Sequence, residues 1–174
     1  MKPNRIFRLS APAILAVCLA AWAGEAAKTI YIVRHAERAG DKSLSTNISD
    51  VGKCRAEMLA RILADAGVKN IFVTPFVRTQ QTAEPLARKL GLHPEVISNL
   101  DGLVPRLQAL APGSTALAVS HESQIPDLIK RLKGGTVTPF TEEEFDRLYV
   151  VTLTGAGDAS LATLRYPGCS QQKN

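Results

Sequence analysis

The sequence predicts an α/β protein, a three-layer α/β/α sandwich built on a mainly parallel, mixed sheet. Three observations carry this. Solid apolar runs at 29–33, 71–73 and 116–119 read as strands buried on both faces. Stretches with three- and four-residue apolar spacing alternate with them, as helices between parallel strands do. Two β-rich runs near the end flank Gly155-Ala156-Gly157-Asp158, a hairpin signal that adds an antiparallel pair.

The 174 residues suit about one domain, and a hydrophobic fraction of 45% is enough for a real core. Residues 1–23 read as a secretory signal peptide. Lys2, Arg5 and Arg8 form a basic start, Ala11 to Ala20 is apolar and short, and Ala21-Trp22-Ala23 fits a cleavage site. An uncleaved anchor is the alternative, and Val17 disfavours a lipid anchor at Cys18. Residues 24–174 then form a single domain, periplasmic or secreted, with no stable membrane insertion once the leader is gone. Three of the 21 basic residues leave with the leader and none of the 16 acids does, so the mature excess is only +2. With no Lys/Arg run interleaved with aromatics, a nucleic-acid partner is set aside. Oligomeric state is not legible. Cys54 and Cys169 remain, and either a disulfide or two separate thiols fits.

Taken in order, the first strand ends at Arg34-His35, and polar residues 37–47 read as a loop in which Arg38 and Lys42 are cations within reach of a phosphate or simply solvated. Ser49 caps a helix whose stripe is Val51, Cys54, Met58, Ile62 and Ala66, widened by Leu59 and Leu63 and ended near Gly67. The second strand covers 70–74. A helix over 78–90 ends at Gly91, with Pro85 a source of irregularity. Residues 94–98 read as a short strand. Asp101 is placed to cap a helix that points Leu103, Val104, Leu107 and Leu110 inward. The third buried strand is 115–119. Ser123 caps the next helix, with Pro126 in its first turn and Gly134-Gly135 after it. Thr141-x-x-Glu144 resembles a capping box, so 142–144 reads as a solvated helix start.

The three strand exits deliver Arg34, His35, Arg78 and His121. In open α/β sheets ligands bind just beyond the carboxyl ends of strands. A guanidinium offers a charged, planar fork that matches phosphate oxygens. An imidazole can attack phosphorus, and a second can donate to the oxygens where transition-state charge spreads. Such a site needs no metal and no cofactor. Metal-ligand spacings are absent from the sequence.

Val33-Arg34-His35-Ala36-Glu37, Ile48-Ser49-x-x-Gly52, Thr74-Pro75-x-x-Arg78-Thr79-x-Gln81-Thr82-Ala83 and Ser120-His121, in that order, resemble the histidine phosphatase superfamily. The resemblance implies a phosphoglycerate mutase-like fold and a metal-independent phosphatase that hydrolyses phosphomonoesters. It implies His35 as the nucleophile that becomes phosphohistidine, with Arg34, Arg78 and His121 around the phosphate. Two departures stand out. Ala36 replaces the usual glycine, and Glu122-Ser123-Gln124-Ile125-Pro126 replaces the Ser-Asn-Thr before Val-Pro of many small secreted members. Glu122 therefore lies beside the phosphate, able to repel substrate or to serve as an acid.

Many members place the general acid after the strand that follows the second arginine. Asp101 falls there and is the first candidate acid, with helix capping as its alternative role; Glu122 is the second, and Glu37 reads as structural. His93 reads as an exposed loop residue, and Thr79 and Thr82 as capping or packing residues. The short chain implies an open site and a small phosphorylated substrate, a sugar phosphate among them. Phosphohistidine on a protein fits less well with secretion, and a mutase is disfavoured because nothing visibly holds a second phosphate. The rival reading is a non-catalytic phosphate- or anion-binding member of the same fold.

Overall fold

In the computed structural model, residues 25–41, 43–155 and 157–169 are described. The leader expected at 1–23, Cys18 and Lys42 lie outside them. Six strands form one sheet in the order β3-β2-β4-β1-β5-β6. They are β1 (Lys28–Arg34), β2 (Val68–Val73), β3 (Glu95–Val96), β4 (Thr115–Ser120), β5 (Arg147–Leu153) and β6 (Ala159–Arg165). β3, β2, β4 and β1 run parallel, while β5 and β6 are antiparallel. The four helices are α1 (Asp50–Leu63), α2 (Val77–Leu90), α3 (Leu100–Gln108) and α4 (Ile125–Arg131). This is the expected mixed sheet between two helical layers. No helix among the described residues is long and apolar enough to cross a membrane.

The central strands are apolar over 30–33, 71–73 and 116–119 because both of their faces are covered there. Ile30, Ile32, Ala116 and Ala118 face α3 and α4, and pack with Leu103, Leu107, Leu128 and Ile129. Val33, Leu117 and Val119 face α1 and α2, and pack with Leu59, Leu63, Leu86 and Ala87. The period-two alternation of a strand thus feeds two cores.

Several local readings are corrected. The buried stripe of α1 is Gly52, Arg55, Ala56, Leu59, Ala60 and Leu63, and Ile62 is 43% exposed. The helix has turned by about one residue because its smallest side chains face the chain after β1. A Cβ on Gly52 would lie 2.4 Å from the carbonyl oxygen of Glu37, so only glycine permits this approach. Ser49 does cap α1, accepting from the Gly52 amide at 3.1 Å. Asn99, not Asp101, caps α3 by accepting from Gly102 at 2.9 Å. α4 is preceded by Gln124 without a side-chain cap, so Ser123 does not cap it. α2 runs unbroken through Pro85. Residues 141–144 form a turn rather than a helix. Cys54 and Cys169 form a disulfide, with Cα atoms 5.8 Å apart, that ties the C-terminal segment to α1.

Candidate active site

Sheet register brings the strand exits together. Arg34 on β1 stands opposite Ser120 on β4, and the His35 amide donates to the Ser120 carbonyl at 2.9 Å. The residues that follow, His35 and His121, therefore leave the sheet side by side, and their ring centroids are 5.4 Å apart. β2 lies on the other side of β4, so Thr74 arrives beside His121, its Oγ1 3.0 Å from the ring Nε2. α2 starts three residues later and carries Arg78 in its first turn. The Thr82 hydroxyl donates to the Arg78 carbonyl at 2.7 Å and accepts from the Ala36 amide at 2.9 Å, joining α2 to the segment after β1.

Two phenyl rings extend the row. Phe145 lies 6.1 Å from His35 and Phe76 lies 4.7 Å from His121, centroid to centroid. Arg34 stacks on Phe145 at 4.0 Å and Arg78 on Phe76 at 4.1 Å. A guanidinium thus stands at each end of the row.

The His35 ring has a defined tautomer. Its Nδ1 lies 2.8 Å from the Ala36 carbonyl oxygen, which can only accept, so Nδ1 carries the proton and Nε2 keeps its lone pair. Burial, helped by the charges of Arg78, His121 and Arg34, brings the pKa of His35 down to about 3 against the Ala36 hydrogen bond. Burial and then Arg78 bring His121 down to about 4, with Glu122 opposing. Both rings are neutral at pH 7.

The arginines are only partly engaged. Arg34 Nη1 donates to the carbonyls of Thr141, Glu142 and Glu144 at 3.1, 3.1 and 2.9 Å. Its Nε lies 3.2 Å from Glu122 Oε2, close enough for an ion pair but poorly aligned for a hydrogen bond. Arg78 Nη1 donates to the Ser43 carbonyl at 2.9 Å, while its buried Nε has no hydrogen-bond partner among the described residues. Burial followed by the charge of Arg38 lowers the pKa of Arg78.

Glu122 is one of the residues brought together: Oε2 is also 3.8 Å from His35 Nε2. Burial pushes its pKa up, but its own amide and Arg34 outweigh that and hold it below the usual carboxylate value. Asp101 is not brought together with them, which corrects its expected place as the acid. Its side chain is 84% exposed and its carboxylate pairs with Arg131 of α4 at 2.9 Å. It lies in the first turn of α3 with its side chain on the solvent side. Glu37 is structural as expected, forked onto Arg55 with contacts of 2.7 to 2.9 Å. Thr79 bonds Thr74 and Phe76 within its own turn.

His35, His121 and Glu122 offer ligand atoms within 4.8 Å of one another, a donor set that suits a metal ion. Two guanidinium groups share the space, however, and the field they set up favours an anion. Sequence reasoning missed Phe76, Phe145, Thr74 and the carbonyls at 141–144. Phe76 lies inside the Thr74–Arg78 motif and was accessible there. Backbone carbonyls carry no side-chain signal.

The convergence sets two guanidinium groups beside a neutral, lone-pair-bearing imidazole, an arrangement chemically suited to an anion. Residues 30–103 match the model of the histidine phosphatase superfamily (branch 1), and the match supports that superfamily. The solved structure of the protein histidine phosphatase SixA with tungstate is similar, with a TM-score of 0.66, 23% identity, and coverage of 79% of this chain and 96% of that one. A crystal structure described as a putative α-ribazole-5′-P phosphatase of Escherichia coli gives a TM-score of 0.65 at 16% identity over 79% of this chain and 96% of that one. The phosphoglycerate mutase of Plasmodium falciparum gives 0.59 at 16% identity over 86% and 97%. Among curated proteins, PE-PGRS family protein PE_PGRS11 of Mycobacterium tuberculosis is 32% identical over 95 residues, 48% of this chain. This chain covers only 16% of that relative's length.

Proposed function

We propose that the protein is a metal-independent phosphatase that hydrolyses phosphomonoesters through a phosphohistidine formed on His35. The observation that carries this is the Nδ1 contact of His35 with the Ala36 carbonyl, which leaves Nε2 unprotonated beside two arginines. In the first step Nε2 attacks phosphorus, the N–P bond forms, the P–O bond breaks and the leaving oxygen takes a proton. Arg34, Arg78 and His121 hold the phosphoryl oxygens. In the second step water attacks phosphorus, Glu122 takes its proton, and the P–N electron pair returns to His35.

Glu122 replaces Asp101 in this reading. Being ionised, it is ready as a base for the second step. In the first step it can pass on only a proton brought by the substrate, so substrates with good leaving groups are favoured. The disulfide supports an oxidising compartment, and with it the proposed leader at 1–23 and a periplasmic or secreted location.

A second reading, an anion-binding protein without turnover, is favoured by the ion pair of Glu122 with Arg34, which sits where a phosphate oxygen would bind. One experiment separates the two. p-Nitrophenyl phosphate is incubated with wild type and His35→Ala, with and without EDTA. Nitrophenol release that survives EDTA and is lost in the variant supports the enzyme; phosphate binding without release supports the second reading.

A further inference from the structure

We propose that Glu144 is a positioning residue: it shapes the 141–145 turn so that three backbone carbonyls and the Phe145 ring hold Arg34 in its phosphate-gripping orientation. The inference rests on the phosphatase reading, because the orientation matters only if Arg34 meets a phosphate.

Glu144 Oε2 accepts from the Thr141 amide at 2.9 Å, closing the turn on itself. The same oxygen accepts from Arg147, and Oε1 accepts from Arg165 at 3.3 Å. Arg147 in turn donates to the Thr138 carbonyl at 2.6 Å and to the Tyr149 hydroxyl at 3.2 Å. One carboxylate therefore fixes the turn to β5 and β6 together. β5 pairs with β1, Leu148 opposite Val33, so the turn entering β5 passes Arg34. An amide-closed turn points its carbonyls to one side, and those of Thr141, Glu142 and Glu144 all reach Arg34 Nη1. Nη1 has two N–H groups for three acceptors, so this nitrogen is saturated. With Nη1 saturated by the turn, an incoming anion meets the guanidinium at its other two nitrogens, and Glu122 competes for Nε. Phe145, next in the chain, covers one guanidinium face. Without the turn a long arginine side chain regains its rotamers, and each encounter with phosphate pays for their ordering.

The test compares wild type, Glu144→Ala, Glu144→Gln and Asp146→Asn. Asp146 belongs to the same ion cluster, bonding Arg165 at 2.8 and 2.9 Å, but the Thr141 amide that closes the turn donates to Glu144 instead. The readouts are KM and kcat for p-nitrophenyl phosphate, the competitive inhibition constant of inorganic phosphate, and the melting curve. Glu144→Ala is expected to raise KM and the phosphate constant together about tenfold, more than it lowers kcat. Glu144→Gln keeps an acceptor oxygen for the Thr141 amide and should recover to within about threefold. Asp146→Asn should leave both constants within about twofold. A folded Glu144→Ala with unchanged constants overturns the inference, as does an equal effect of Asp146→Asn. If Glu144→Ala does not fold, Thr141→Pro, which removes the amide that Glu144 binds, is judged by the same thresholds. A wild type that neither turns over the ester nor binds phosphate in a calorimeter overturns the phosphatase reading and this one together. An active wild type with an unresponsive Glu144 overturns this one alone.

Discussion

Glu122 Oε2 lies 3.2 Å from Arg34 Nε and so occupies one of the nitrogens that a phosphate would use. In the free protein the carboxylate is a resident anion, and an incoming phosphate competes with it. Glu122→Gln removes that competitor and, in the proposed mechanism, also removes the base of the second step. The expected result is a lower KM with kcat lowered about 10²-fold. Rapid quench into alkaline detergent, which preserves the N–P bond, should also show labelled phosphoenzyme accumulating. Unchanged kcat would mean that the carboxylate has no part in water attack.

Among the described residues, the buried Nε of Arg78 has no hydrogen-bond partner and its Nη1 donates to the Ser43 carbonyl. Its charge is therefore available to developing charge on phosphorus oxygens. Arg78→Ala should cost about 10²–10³-fold in kcat/KM. Arg78→Lys should recover little, since a point charge cannot replace a fork. Full recovery by lysine would show that charge alone is used.

Asp101→Asn should leave kcat unchanged for alkyl and aryl phosphates alike. The carboxylate is exposed and serves Arg131, an ion pair of the kind that contributes little in water. A selective loss with alkyl phosphates would return Asp101 to the role of acid.

Both imidazoles titrate near 6.5 when unfolded and at about 3 and about 4 when folded. Between those values the unfolded chain binds more protons, so acid favours unfolding. The stability they contribute is complete above pH 6.5 and is lost as pH falls toward 4 and then 3. The urea midpoint should decrease from pH 7 to pH 5, and less steeply in His121→Asn. A flat or rising midpoint would contradict the neutral-imidazole site. For the same reason kcat/KM should show no imidazole limb near 6.5, only a limb that moves with the pKa of the substrate.

The disulfide closes a loop with a sequence separation of 115. Loss of so long a cross-link costs roughly 2–5 kcal/mol, mainly by freeing the unfolded chain. Cys54→Ser should lower the melting temperature, and dithiothreitol should reproduce the shift in wild type and leave the variant unmoved. A reductant that lowers both equally would act elsewhere.

What was legible in the sequence has a common physical origin. Strands covered on both faces must be apolar without interruption, so β1, β2 and β4 stood out, and their polar exits with them. Arg34, His35, Arg78 and His121 were visible because each breaks such a run or follows it closely. The face of α1 was misread because apolar residues occur on both sides of its stripe, and the close approach at Gly52 decided between them. The turn at 141–144 was misread because a capping box and a closed turn share one pattern, Thr-x-x-Glu. Asp101 was misplaced because position after a strand does not say which way a helical side chain points. The partners of Arg34 were invisible because any residue supplies a backbone carbonyl.

The Thr82 hydroxyl receives the Ala36 N–H and gives its own proton to the Arg78 carbonyl. One oxygen atom therefore sets the spacing between the segment that bears the imidazole and the segment that bears the second guanidinium. The two segments are coupled through that atom, so a displacement of either one strains a hydrogen bond to the other.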